Sequence, residues 1–373
     1  MEEIKPIKIA VLSCIHGHAP SFLSLASNPL YDLVAISVVP GSEKVCKGFA
    51  ACPGVPIYHS DEELYANHPD LEAAVVGSEN KYHYEQSMEA ARRGLHIFSM
   101  KVPSLNMKEY QEMVDIVKEK KIVFQIEMEL RNYPVIHRAA ELIQSGAIGE
   151  LQSISITNYS HNPVWWCPWQ CDPDLSYGEV RQLRPGDERF RGGALTDHSH
   201  PFYLMRMIAG SDFDTVFGNV TPNIREGVRT EDMIRLIGTL KNGATFSIDP
   251  SYANNEFHLK ELTCEEDVWR FFKYPKVCEV FMTAVCSKGT IVADLYGKDT
   301  FVQVPDNNHY VSWNEAHTFA GLPDREITTF YRSIRDGDAP ETDIADYMNC
   351  MKAVVAGYES IYSSKIVNVD DVV

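Results

Sequence analysis

Short apolar runs alternate with helical stretches through the first third of the chain, and nothing else in the sequence constrains the fold as strongly. Ile7–Leu12 is mostly apolar, as a strand buried on both faces of a parallel sheet must be. Further runs of this kind cover 33–39, 71–76, 95–99 and 122–126. Between them lie helical patterns at 20–27, at 84–93 with Gly94 as its C-cap, and at Met107–Lys120. Such alternation predicts a doubly wound parallel sheet with right-handed crossovers. Ligands then sit outside the carboxyl ends of the strands, where the strand order reverses. The turns after Leu12, Val39, Val76 and Ser99 are therefore the places to look for chemistry.

The pattern changes near residue 128. A helix at 134–145 closes at Gly146, and Leu151–Tyr159 alternates like a half-buried strand. Strand-like segments follow at 215–220, Ile234–Leu240, 244–251, Val280–Cys286, 289–295 and 300–304, and helices at 326–336 and 347–364 end the chain. With 373 residues the chain is too long for one ordinary domain and suits two. We expect a Rossmann-type α/β domain at 1–128. An α+β domain at 129–373 would carry a large open, mainly antiparallel sheet, its last helices able to pack back on the first domain.

Acidic residues outnumber basic ones, 52 to 34, giving a formal charge of −18. Nucleic acid is thus not an expected partner, because phosphate binding needs concentrated Lys and Arg. No run of about 20 apolar residues is present to span a membrane. The opening residues Met1-Glu2-Glu3-Ile4-Lys5 lack a basic stretch followed by an apolar one, so a mature, cytoplasmic protein is expected. Nine scattered cysteines read as reduced thiols. Cys167 and Cys171, helped by His161, His198 or His200, would make only a loosely spaced zinc set, and no metal is expected.

Five segments, in order, resemble the glucose–fructose oxidoreductase/inositol dehydrogenase (Gfo/Idh/MocA) family. Ala74-Val75-Val76-Gly77-Ser78-Glu79-Asn80-Lys81-Tyr82-His83 is similar to its apolar strand followed by T-P-N-x-x-H. Arg93-Gly94-Leu95-His96-Ile97-Phe98-Ser99-Met100-Lys101-Val102-Pro103 is similar to its G-K-H-V-x-x-E-K-P. Leu142-Ile143-Gln144-Ser145-Gly146-Ala147-Ile148-Gly149-Glu150 resembles the helix end before its second domain. Gly192-Gly193-Ala194-Leu195-Thr196-Asp197-His198-Ser199-His200 resembles G-G-x-L-x-D-x-x-x-H, and 353–364 its terminal helix.

The resemblance implies hydride transfer between NAD or NADP and a sugar, cyclitol or glycoside hydroxyl. Lys101, after a strand end, would bond the substrate hydroxyl and hold or relay its proton; the bland alternative is a surface lysine at a helix entry. His200 would be the acid or base, and Asp197 would orient the hydroxyls or the imidazole, or else cap the helix starting near Pro201. His198 is open between substrate contact, the acid–base role and a metal site. Ser78, Asn80 and His83 would line the nicotinamide, with His83 alternatively at the N-cap of the helix that follows.

The chain departs from the family pattern in three places. Ser13, Ile15 and His18 stand where the phosphate loop has glycines, with only Gly17 nearby; His16 or His18 would then donate to phosphate. Val38 and Val39 stand where an acid would meet the ribose, and Ser42 with Lys44 could greet a 2′-phosphate, so NAD and NADP stay open. Met100 replaces a Glu before Lys101. Substrate recognition is expected from the long segment 162–193. There Trp165, Trp166 and Trp169 could stack on sugar rings and Arg181, Arg184, Arg189 or Arg191 could hold a carboxylate, with His161 at a strand end. The alternative is a tryptophan mini-core with surface ion pairs. A glycosidase using NAD transiently, and a silent sensor or scaffold on the same fold, are the competing functions. A homodimer or homotetramer is expected, since an open sheet leaves a face to cover.

Overall fold

The computed structural model describes residues 4–15, 25–39, 54–160, 163–165, 168–176, 181–252, 280–295, 299–304, 309–314 and 322–373. The chain forms two compact units, the first from residues 1–129, 174–178 and 319–348, the second from the remainder.

The first unit is built on a parallel sheet of β1 (Ile7–Leu12), β2 (Tyr31–Ser37), β3 (Ile57–Tyr58), β4 (Ala73–Val76), β5 (His96–Ser99) and β6 (Phe124–Ile126). Their order is β3-β2-β1-β4-β5-β6, so the chain reverses direction across the sheet between β1 and β4. Helices α1 (Asp61–Asn67), α2 (Asn80–Arg92) and α3 (Met107–Lys120) fill the crossovers. α3 starts where the Asn106 side chain accepts from the amides of Lys108 and Glu109, and it ends on Lys121 in the left-handed conformation. The unbroken apolar character of β1 and β4 is explained by burial: every residue of β4 is inaccessible to solvent.

A helix from far along the chain completes this core. α8 (Leu322–Arg335) sets Phe330 edge-on to Phe98 of β5 with centroids 5.6 Å apart, and the Tyr31 hydroxyl donates to the Ile327 carbonyl at 2.6 Å. Glu326 of the same helix accepts from the Met128 amide at 2.7 Å. Burial, then the nearby Glu127 and Glu129 carboxylates, push its carboxyl well above the usual range.

The second unit carries a mixed sheet of β7 (Leu151–Tyr159), β8 (Phe213–Val220), β9 (Ile234–Leu240), β10 (Thr245–Ser251), β11 (Val280–Cys286), β12 (Gly289–Asp294), β13 (Asp299–Val304), β14 (His309–Asn314) and β15 (Val367–Asn368). The order is β14-β13-β12-β11-β7-β10-β9-β8-β15. Every pairing is antiparallel except β7 with β10. The alternation of β7 is that of a strand with one covered face, Ile154 and Ile156 inward. α4 (Pro134–Gln144) and α7 (His200–Ala209) pack together; Gln144 of α4 donates to the Met207 carbonyl at 2.7 Å. The short α6 (Ala194–Asp197) and most of α9 (Ile344–Ser363) belong to this unit, whereas the short α5 (Pro173–Ser176), apart from its first residue, belongs to the first. Among the described residues no helix is long and apolar enough to cross a membrane.

Candidate functional site

In the first unit the predicted residues gather at the carboxyl ends of β1 and β4. Ser13 follows β1 with φ 58°, the left-handed conformation that glycine adopts easily and serine does not. Its amide donates to the Ser37 carbonyl at 3.1 Å, and its buried hydroxyl has no hydrogen-bond partner among the described residues. Gly77 follows β4; a Cβ there would stand 2.6 Å from the Ser13 carbonyl oxygen, so only glycine lets the two turns touch. Ile15 is half-buried, and His16, Gly17 and His18 lie outside the described residues.

α2 begins at Asn80, four residues before the expected start, and this overturns the reading of His83 as an N-cap. Glu79 is the capping residue and makes no side-chain cap bond; burial pushes its carboxyl up. Glu79 Oε2 and Asn80 Oδ1 are buried without a partner among the described residues. Ser78 donates to Gln86 Oε1 at 2.6 Å. His83 is wholly buried, with Nδ1 2.8 Å from the Val102 carbonyl and Nε2 2.9 Å from the Ser78 carbonyl. Burial lowers its pKa, and the charge of Lys101 adds to this, so the ring is neutral and has one N–H for two acceptors. It ties the turn after β4 to the segment carrying Lys101.

Lys101 lies two residues past β5 and is 4% exposed, which excludes the surface-lysine alternative. Met100, in place of the resembling family's Glu, belongs to the hydrophobic core, and its amide donates to the Val76 carbonyl at 3.0 Å. Beside the end of β2, Val38 and Val39 border a cleft of about 290 Å³.

These features fit a dinucleotide. Unmatched polar atoms of Ser13, Glu79 and Asn80 surround the switch point of the sheet, a glycine permits close approach, and a cleft lined by Val38, Val39, Tyr82 and polar side chains lies beside the second strand.

In the second unit a buried carboxylate organises the segment carrying Asp197, His198 and His200. Glu231 accepts from the Gly193 amide at 3.1 Å, the Leu195 amide at 3.0 Å and the Tyr358 hydroxyl at 2.7 Å. Burial pushes its pKa to about 7 against these hydrogen bonds. The Tyr358 oxygen accepts in turn from the Gly192 amide at 3.1 Å and lies 2.8 Å from Thr196 Oγ1. A Cβ on Gly193 would come 2.2 Å from the Glu231 carbonyl oxygen. No local pattern in the sequence announces this clamp, because Tyr358 is 127 positions from Glu231.

Asp197 ends α6 and is 8% exposed, its carboxylate 3.8 Å from His198 Nδ1. The N-cap of α7 is Ser199, so the capping alternative for Asp197 is overturned. His198 Nδ1 lies 2.9 Å from the Ala194 carbonyl and Nε2 2.7 Å from Ser160 Oγ, and the ring meets Tyr252 edge-on at 5.2 Å. His198 thus braces the segment with both nitrogens. His200 opens α7 and is 5% exposed.

Of the aromatic group, Trp169 is buried in the interior, and the side chains of Trp165, Trp166 and His161 lie outside the described residues. Burial, then Asp197 and Asp172, push the Cys171 thiol up to about 12; Cys167 lies outside the described residues. Arg181 forks onto Glu359 at 2.5 and 3.2 Å, Arg184 bonds Asn219 at 2.7 Å, and Arg189 pairs with Asp187 at 2.7 Å. Arg191 is buried.

The sequence and the fold match known proteins. The family model described as an oxidoreductase family with an NAD-binding Rossmann fold matches residues 18–128, and that of the GFO/IDH/MocA C-terminal domain matches 136–292. An uncharacterized oxidoreductase of Streptococcus pneumoniae is 27% identical over 185 residues, 48% of this chain and 46% of its own length, so the match spans under half of that relative. The myo-inositol 2-dehydrogenase of Thermotoga maritima is 22% identical over 329 residues, 86% of either chain. A solved oxidoreductase from Agrobacterium radiobacter, in complex with NAD+, L-tartaric acid and magnesium, superposes with a TM-score of 0.77 at 18% identity over 99% of this chain and 100% of that one.

Proposed function

The chain belongs to the GFO/IDH/MocA oxidoreductase family, and from that premise we propose that it transfers a hydride between NAD or NADP and a hydroxyl-bearing carbon of a sugar, cyclitol or glycoside. The observation that carries the reading is the group of buried, unmatched oxygens of Ser13, Glu79 and Asn80 at the switch point of a parallel sheet, beside a buried lysine. When bound, the nicotinamide supplies the hydride donor or acceptor. Ser13, Ser78 and Asn80, with Ile15, His16, Gly17 and His18, hold the dinucleotide, and His83 fixes the turn they share. Lys101 donates to the substrate hydroxyl and His200 takes or returns its proton. Asp197 orients the hydroxyls, and Arg191, His161, Trp165 and Trp166 hold the rest of the substrate. His198 supports this set through Asp197 rather than acting as the base. A homodimer or homotetramer accompanies the reading, supported by the exposed cross-strand pair Phe217 and Ile237; sedimentation tests it.

The deciding experiment supplies pools of sugars, cyclitols and glycosides with either nucleotide and follows reduced nicotinamide by absorbance. Lys101→Met should lower turnover by about 10²–10⁴-fold while leaving nucleotide binding intact. Wild-type protein that binds neither nucleotide, or a Lys101→Met variant that turns over normally, would refute the proposal. Glycoside cleavage without accumulation of reduced cofactor would favour the elimination route.

A further inference from the structure

A dinucleotide's adenosine ribose ordinarily meets a carboxylate at the end of the second strand, and here Val38 and Val39 leave none in that position. The fold delivers one from elsewhere. Asp61, the first residue of α1, accepts a hydrogen bond from the hydroxyl of Ser37, the last residue of β2. Its other oxygen accepts from Gln86 Nε2 at 2.8 Å, and Gln86 is itself oriented by Ser78 Oγ at 2.6 Å. The carboxylate is therefore fixed from β2, α2 and the turn after β4 together. Each oxygen uses one lone pair on these donors and keeps another for a ligand.

Asp61 is half-buried and lines the cleft bordered by Val38, Val39 and Tyr82. The apolar faces of Val38, Val39 and Tyr82 beside a fixed carboxylate suit a base and its sugar diol. The charges at the cleft are set out unevenly. Among the described residues lining the cleft, Glu89 is paired with Arg93 at 2.7 Å and Asp61 and the exposed Glu85 add two negative charges, against one positive charge on Lys81, whose ammonium stands over the Tyr82 ring at 4.8 Å. A hydroxyl donor gains at Asp61; a phosphate in its place loses that bond and meets a like charge.

We propose that Asp61 accepts the adenosine ribose hydroxyls of the bound dinucleotide and repels a 2′-phosphate, so that the protein uses NAD rather than NADP. The proposal rests on the nicotinamide-dependent reading above. Asp61 is a specificity residue that the sequence pattern hides, because it lies 24 positions beyond Ser37.

Calorimetric affinities of the full chain for NAD+ and NADP+ test it, for the wild type and for Asp61→Asn. Asparagine fills the same space and can still bond Ser37 or Gln86. The wild type should bind NAD+ about 100-fold more tightly than NADP+; Asp61→Asn should weaken NAD+ about tenfold and bring the two within about tenfold, in line with the worth of a hydrogen bond to a charged group. A merely structural Asp61 would lower both affinities together and leave their ratio unmoved, which overturns the proposal. So does a wild type that prefers NADP+, a result that needs no variant to fold. Binding of neither nucleotide overturns the functional reading along with this one; binding of both with a ratio indifferent to Asp61 overturns this one alone.

Discussion

Ser13→Gly should stabilise the first unit, and the amount can be worked from two features of the turn. The left-handed conformation at φ 58° costs a non-glycine residue roughly 1–2 kcal/mol. Glycine gives back about 0.4–1 kcal/mol of that through its greater freedom in the unfolded chain. The buried hydroxyl without a partner adds a desolvation cost of about 1–3 kcal/mol, which any variant lacking it avoids. Ser13→Ala removes the hydroxyl and keeps the strain, so the step from Ala to Gly isolates the backbone term at about 1 kcal/mol. All five tryptophans lie in the second unit, between residues 165 and 313, so a probe within the first unit reads the change more directly. Amide hydrogen exchange over Ile7–Leu12 does, because β1 leads directly into Ser13. Exchange there should be about fivefold slower in Ser13→Gly than in Ser13→Ala. Equal or faster exchange in the glycine variant would show that the turn is unstrained and that the reasoning fails.

Gly77→Ala should destabilise the same unit by about 1–3 kcal/mol, since its Cβ would press on the Ser13 carbonyl at 2.6 Å; the urea midpoint followed by circular dichroism measures it. Glu231 titrates near 7 in the folded protein against an ordinary 4.5, so the native state holds the extra proton between those values. Its contribution is therefore whole below about 4.5 and is lost as pH rises through 7, a change of about 3 kcal/mol. Glu231→Gln should flatten urea midpoints over that window, and an unchanged pH dependence would contradict the assignment. Arg181→Met should change stability by less than about 1 kcal/mol, because the pair with Glu359 is about one-third exposed on each side; a larger loss in thermal unfolding would show that the pair matters more than its setting suggests.

The parallel sheet was legible because buried strands leave unbroken apolar runs, and β1, β4 and β5 sit within a residue or two of where those runs lie. β3 and α1 do not stand out in the apolar pattern, for different reasons. A two-residue strand carries no period at all. α1 did carry a signal: Ser60 accepts from the Glu63 amide at 3.1 Å and Glu63 reaches back to the His59 amide at 3.3 Å, a capping arrangement written in the sequence as S-x-x-E. Asn80, Lys101, Asp197 and His200 could be picked out by motif, yet the side chains that hold their surroundings could not. Glu326 reaches Met128 across 198 positions and Tyr358 reaches Glu231 across 127, and no local pattern encodes such distances. The histidines carry the least local signal, because burial with two carbonyl partners, as at His83, depends on where the chain returns.

The parallel pairing of β7 with β10 has a consequence for biosynthesis. β7 sits at the middle of its sheet, yet Ser155 waits for Ser247, 92 positions downstream, and its other neighbour β11 comes later still. At about 5–20 residues per second, a ribosome leaves both edges of that strand bare for roughly 5–20 s. During that interval the nascent polypeptide offers an open ladder to any passing strand, and a chaperone that shields it should raise the yield of native enzyme.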